Sequence, residues 1–214
     1  MERRTRKRLL NHAVLALATA GGIWALFAAS SFPLEYTKWS VATGYVGVAL
    51  LVATLLIGPL NALRGVRTAL STDLRRDIGI WAFAIGGWHV VLGLQSHFGG
   101  AVWKYFFRPV KEGVGGIRND LFGWANHTGL IATVLVLLLA LLSNDLSLRK
   151  LGSGRWKNIQ RSNYALFALV AIHTALYQAL DKQHPAYAVA LGSVVAATLI
   201  LQLLRIARIR RATP

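Results

Sequence analysis

The sequence has no cysteine, only eight acidic residues, five prolines and one methionine among 214 residues. Without cysteine the chain forms no disulfide, offers no thiolate nucleophile, and builds neither a CxxC zinc site nor a cysteine-ligated iron–sulfur cluster. The shortage of acids leaves 24 Lys and Arg largely uncompensated, and the formal net charge is +16. Charged residues of both signs come to only 15%, against about a quarter in soluble domains, while 55% of the chain is apolar. A basic excess first suggests nucleic acid, but that reading needs cations spread over a folded, polar surface. Here cations and apolar residues are segregated along the chain. The expected partner is therefore membrane lipid, and no nucleic acid.

Six long stretches are free of Asp, Glu, Lys and Arg: Leu9–Leu34, Trp39–Leu63, Ile78–Trp103, Leu121–Asn144, Ser162–Leu180 and Gln183–Leu204. Each has 19 or more residues, enough to cross a hydrocarbon core of about 30 Å at about 1.5 Å per residue. A segment exposed to lipid must satisfy its own backbone, so each is expected to be a helix. The expected fold class is an all-α integral membrane protein. It forms one six-helix transmembrane bundle, with spans near 10–31, 40–62, 78–100, 121–143, 161–180 and 185–205. The first uncharged run, behind Arg3–Arg8, is 26 residues long, whereas the apolar part of a signal peptide is about 7–15. It reads as a helix. Pro59 reads as the end of the second span.

Orientation follows from Lys and Arg. Eighteen of them fall at the two termini and in the second-to-third and fourth-to-fifth connections, including Arg64, Arg67, Arg75, Arg76, Arg161 and Arg205. The alternate connections hold six: Lys38, Lys104, Arg108, Lys111, Arg118 and Lys182. Both termini are expected to be cytoplasmic, in a bacterial inner membrane. The acids divide evenly, with Glu2, Asp73, Asp77 and Asp145 inside and Glu35, Glu112, Asp120 and Asp181 outside. The longest connection, 104–120, is external and carries Gly113, Gly115 and Gly116. Its GVGG is read as following no strand and opening no helix, so it is no nucleotide-binding turn. No internal repeat is apparent.

Titratable groups at membrane depth are costly and point to function. Among the six histidines, His12 reads as interfacial and His184, beside Pro185, as solvated in a short turn. His89 lies 13 residues beyond Arg76 and His173 lies 12 beyond Arg161, roughly 20 and 18 Å from the same boundary at about 1.5 Å per residue. Two imidazoles on different helices at one depth, near mid-membrane, suggest a ligand pair. With no Cys, and no Asp or Glu inside these two spans, a low-spin heme suits them better than zinc or a di-iron centre. No CxxCH is present, so such a heme would be non-covalent, of b type. Gly79, Gly86 and Gly93 recur every seven residues, and Gly86 and Gly93 flank His89 on its own face, baring it for a flat macrocycle or for close helix packing. His97 and His127 form a second, weaker pair near the external face, for a second heme, a quinone, a metal ion, or simple wetting at the interface. Trp81, Trp88, Trp124 and Tyr177 are candidates to line an electron path.

The blocks TGYVGVALLVATLLIGPLNALRG, LRRDIGIWAFAIGGWH and SNDLSLRKLGSGRWKNIQRSNYALFALVAIHTALY together resemble the ferric-reductase-like transmembrane superfamily. In particular they resemble the heme-binding membrane subunits of bacterial methionine-sulfoxide reductase systems. The resemblance covers roughly Thr43–Tyr177. It implies a transmembrane electron conduit with b-type heme between the third and fifth helices, ligated by residues matching His89 and His173. The family's inner histidine on the fifth helix falls on Gln160, so one heme is expected, with a second only if His97 or His127 contributes. The expected function is electron transfer from a cytoplasmic flavoprotein reductase or membrane quinol to an external redox partner or small acceptor. The protein would then be a membrane subunit of an oxidoreductase rather than a self-sufficient enzyme. The alternative is a six-helix transporter or assembly subunit whose histidines handle protons or a metal ion.

Overall fold

The computed structural model describes residues 2–65, 69–111 and 114–211; Arg67, Glu112 and Gly113 lie outside the described residues. In chain order the elements begin with α1 (Glu2–Ala29), α2 (Glu35–Arg64), α3 (Ala69–Ser96) and a single turn, α4 (Trp103–Phe106). A hairpin of β1 (Phe107–Lys111) and β2 (Val114–Ile117) follows, then α5 (Leu121–Leu141), α6 (Asp145–Gln160), α7 (Asn163–Leu180) and α8 (Pro185–Arg211). Six helical stretches are long and apolar enough to cross a membrane: α1, α2, α3, α5, the run through α6 and α7, and α8. The protein is an integral membrane helix bundle.

Its two closest helix pairs are α2 with α3 and α5 with α7, and α1 and α8 both lie against α2. Among the described residues the main apolar core joins Leu51, Val52 and Leu55 of α2 to Ala132 and Leu139 of α5 and Leu166 and Phe167 of α7.

Two local expectations need correction. Helix α2 does not stop at Pro59 but runs on to Arg64. A proline removes the hydrogen bond to the carbonyl four residues back, and that carbonyl, on Leu55, accepts instead from Nε2 of Gln202 on α8 (3.0 Å). A neighbouring side chain re-satisfies the freed group, as lipid requires. The external connection is not strand-free, because β1 and β2 pair antiparallel with Phe107 opposite Ile117 and Arg108 opposite Gly116. The GVGG segment therefore contributes to a strand and follows one, although it still opens no helix. The fourth-to-fifth connection is largely helix α6, broken at Gly152 (φ 73°) and with no buried residue. Trp156 Nε1 fastens it to the Leu142 carbonyl (2.8 Å). A surface helix of this kind has no apolar run to reveal it.

One end of the bundle carries the basic clusters. There α1 and α3 run parallel and meet at every fourth residue. Arg4 pairs with Asp73 (2.7 Å), Arg8 with the fully buried Asp77 (2.7 Å), and Trp81 Nε1 donates to His12 Nδ1 (3.1 Å). Asp77 also accepts from Asn11 and lies 3.5 Å from His12 Nε2. His12, read from the sequence as interfacial, is partly exposed at this end and joins the polar contacts around Asp77. Arg208 of α8 donates to the Leu63 carbonyl at the end of α2, so the described start of α1 and end of α8 both lie at this basic end. The hairpin lies at the other.

Candidate functional site

His89 on α3 and His173 on α7 face one another across the bundle, with ring centroids 6.0 Å apart and planes crossed at 83°. Each ring is seated in the same way on a neighbouring helix. His89 Nδ1 lies 2.8 Å from the Ser40 carbonyl of α2, and Ser40 Oγ adds a 3.3 Å contact. His173 Nδ1 lies 2.8 Å from the Ala125 carbonyl of α5. A carbonyl only accepts, so both Nδ1 atoms carry the proton and donate. Both Nε2 atoms are then the unprotonated nitrogens, available to a metal.

Four residues beyond each carbonyl stands a glycine. A Cβ on Gly44 would come 3.0 Å from the His89 ring, and one on Gly129 would come 2.8 Å from the His173 ring. Only glycine lets an imidazole lie this close to the helix backbone. The floor under each imidazole is thus a small-x-x-x-small pattern, Ser40 to Gly44 and Ala125 to Gly129. Such patterns usually bring helices together; here they admit a ring as well. These four residues escape the sequence reading, which looked for glycines around His89 on its own helix. The signal was present in the partner helices, since both patterns stand in uncharged spans.

The expected glycines have more modest surroundings. Gly86 approaches Gly47 of α2, where α2 and α3 pack closely, and a Cβ on Gly93 would come 3.3 Å from Ser40 Oγ. Both line the cavity between the histidines, together with Gly44, Gly47 and Gly129. This cavity measures about 390 Å³, within the range of about 300–1,000 Å³ of small-molecule sites. Two metal–nitrogen bonds of about 2 Å, plus half a ring on either side, span roughly 6 Å. The donor set, spacing and cavity fit a bis-imidazole metal macrocycle.

The pair is not at mid-bundle. His89 lies seven residues before Ser96, which ends α3, and His173 lies seven before Leu180, which ends α7, roughly 10 Å of helix in each case. Both are closer to the hairpin end. Gln160 ends α6 on the basic side, with Nε2 3.5 Å from the Leu139 carbonyl, and does not line the cavity. The space between it and the histidines holds Leu51, Leu55, Leu139, Leu166 and Phe167.

His97 and His127 do not come together. The His97 ring stacks on Tyr177 (6.3 Å, 19°) and meets Phe122 edge-on (5.3 Å). His127 Nε2 donates to the Arg118 carbonyl (3.0 Å) and its ring lies near Phe106 and Trp124, which ties it to the hairpin base. Among the described residues no group of three or more His, Asp or Glu is arranged to hold a metal ion. Of the aromatic candidates only Tyr177 touches the pair, 5.0 Å from the His173 ring, with its hydroxyl donating to Asn126 (2.9 Å). Trp88 and Trp124 are exposed on the outside of the bundle, and Trp81 is engaged by His12. Arg76 pairs with Asp145 and Arg161 with Asn158, away from the histidines.

The family model described as ferric reductase like transmembrane component matches residues 43–172. The chain belongs to the ferric reductase-like family. The matched stretch includes His89, Gly44 and Gly129 and stops one residue short of His173. Similar proteins occur in Brucella ovis, Brucella canis and Brucella abortus, each 29% identical over 199 residues, covering 86% of this chain and 82% of theirs. All three are named protein-methionine-sulfoxide reductase heme-binding subunit MsrQ.

Proposed function

We propose that this protein is a transmembrane electron carrier with a single b-type heme, its iron held between His89 and His173. The observation that carries the reading is the matched seating of the two imidazoles, each with Nδ1 committed to a backbone carbonyl and the rings 6.0 Å apart. Outer hydrogen bonds of this kind fix a ligand's tautomer and orientation. The names of the relatives support heme as the occupant. When bound, heme supplies one-electron storage and transfer at a potential set by its ligands and surroundings. The protein's own contribution is ligation by the two histidines, an insulating apolar wall, and a polar approach from the hairpin end through Tyr177 and His97.

The lysine and arginine distribution supports placing the basic end in the cytoplasm of a bacterial cell, across the inner membrane. With the histidines in the outer half, a flavoprotein docked on the basic rim would face roughly 18–20 Å of helix packed with Leu51, Leu55, Leu139, Leu166 and Phe167. A quinol dissolved in the membrane would not have to cross that core. We therefore take membrane quinol as the donor and an external redox partner as the acceptor. The chain then works as the membrane subunit of an oxidoreductase.

The test is a reduced-minus-oxidised spectrum of the purified protein from heme-sufficient cells. The expected result is a b-type α-band at one heme per chain, abolished by His89→Ala or His173→Ala and kept in Gln160→Ala. A protein without the band, or a band surviving both histidine changes, overturns the assignment.

A further inference from the structure

The cavity holding His89 and His173 extends past Tyr177 to His97 and Asp181. The same two residues also line a depression at the hairpin end, with Phe98, Arg118, Phe122 and Leu180. Two titratable side chains therefore border both the inner space and the outer one. Only one aromatic layer stands between them and the ligand pair, because Tyr177 lies 5.0 Å from His173 and stacks on His97 at 6.3 Å.

We propose that His97 and Asp181 are an external proton port for the His89–His173 site, binding one proton from outside water when that site gains one electron and releasing it when the electron leaves. The proposal rests on the heme reading above. Its balance is simple: one electron enters, one proton joins the Asp181 carboxylate or the His97 imidazole, and no other bond changes. A negative charge added nearby raises the proton affinity of both groups.

The neighbours leave this role to these two residues. From α2, the Tyr45 hydroxyl donates to Gln183, and from α7, Gln178 donates to Tyr45 and to the Tyr187 carbonyl. From α4, the Tyr105 hydroxyl donates to the Gly93 carbonyl, and Tyr177 donates to Asn126 of α5. Arg118 bonds the Lys104 carbonyl and Asp120, with its guanidinium over Phe122 and Phe98. Lys182 is next in the chain to Asp181. Tyrosine and lysine side chains exchange protons near pH 10 and arginine stays charged, whereas imidazole is the side-chain type that exchanges nearest neutrality and a carboxyl exchanges below it. Partial burial pushes the Asp181 carboxyl above the usual range, with nearby His97 opposing the shift. Toward the basic end lies the apolar Leu51–Phe167 cluster, which offers a proton no titratable side chain, so the port is assigned to the hairpin side.

The test is a redox titration of the full-length, heme-loaded protein in lipid nanodiscs, followed at the α-band from about pH 5 to 8.5. In the unaltered protein the midpoint potential should fall as pH rises, with a limiting slope of about 59 mV per pH unit, which is the one-electron equivalent of a tenfold change in proton concentration. Asp181→Asn should flatten most of that slope, and the His97→Gln, Asp181→Asn double variant should remove it, with heme content and spectrum unchanged. Asp181→Glu should restore the slope over a shifted pH range, and Asp120→Asn should keep it in full. A double variant with the original slope, or an unaltered protein with a normal α-band and a flat potential, refutes the port alone. A protein with no α-band refutes the heme reading and the port with it.

Discussion

Replacing Gly129 by alanine tests the ligand seat without touching a ligand. The new Cβ would lie 2.8 Å from two atoms of the His173 ring, where ordinary contact begins at 3.4 Å. The neighbouring atom belongs to a ring pinned by its 2.8 Å bond to the Ala125 carbonyl, so relief means tilting the ring and stretching that bond. Overpacking of this sort costs about 1–3 kcal/mol and a weakened buried hydrogen bond about 0.5–1.5 kcal/mol. A combined loss of about 1.5–4.5 kcal/mol corresponds to roughly 10- to 1,600-fold in heme affinity at ~1.4 kcal/mol per tenfold. Gly44→Ala, with its contact at 3.0 Å, should lose less. The control is Gly192→Ala on α8, where a Cβ meets nothing within 4 Å; it should bind heme normally and gain up to about 1 kcal/mol of stability from better helix propensity. The assay is heme titration of the apoprotein in detergent, with thermal unfolding of each variant measured alongside. If Gly129→Ala binds heme as tightly as Gly192→Ala, the seat is not what aims His173 and the account above fails.

Other features yield further expectations. If the two imidazoles held a heme iron with their planes crossed at 83° as they stand here, the two iron orbitals that overlap them would be nearly equal in energy. The oxidised protein should therefore give a strongly anisotropic low-spin resonance, and a rhombic spectrum typical of parallel imidazoles would contradict that geometry. Asp77 is fully buried while Arg4 is 68% exposed. Asp77→Ala should then lower the melting temperature clearly more than Arg4→Ala; equal losses would deny the joint between α1 and α3. Asp120 caps α5, and the Gly123 N–H, aided by Arg118 and Arg108, holds its carboxyl below the usual range. A depressed folded value means that its stabilisation is present above the unfolded pKa of about 3.9 and is lost as pH falls through the lower folded value. Asp120→Ala should thus cost about 1 kcal/mol near neutrality and approach zero cost under strong acid; a pH-independent difference would refute the cap. Gln202→Leu strands the Leu55 carbonyl that Pro59 leaves free and should destabilise by about 1–3 kcal/mol, with an unchanged melting temperature counting against the pairing.

The six spans are legible in the sequence because lipid forbids charge and unpaired backbone, and both constraints leave a mark in every residue of a span. The depth match of His89 and His173 is legible for the same reason, since the charged boundary acts as a ruler. What escapes is anything set by rotation about a helix axis or by contact between helices. Ser40, Gly44, Ala125 and Gly129 are ordinary small residues until a neighbouring histidine turns toward them. His97 and His127 share a depth but point to different partners, which depth alone cannot reveal. Trp88 and Trp124 lie near the right level yet face outward. The hairpin and α6 are short or amphipathic, so their stability comes from Arg118, Asn144 and Trp156 contacts rather than from any apolar run.

The repeated seating of the two imidazoles bears on how the protein is made. Ser40, Gly44 and His89 belong to the consecutive helices α2 and α3, and Ala125, Gly129 and His173 belong to α5 and α7. Each half of the site can thus form as soon as its own helices have been inserted, before the other half exists. The first half waits, already oriented, while α5 and α7 are synthesised, and the cofactor pocket closes only when α7 enters the bilayer. On the heme reading, capture would then be a late event that joins two halves, and a chain cut off before α7 should be membrane-inserted and colourless.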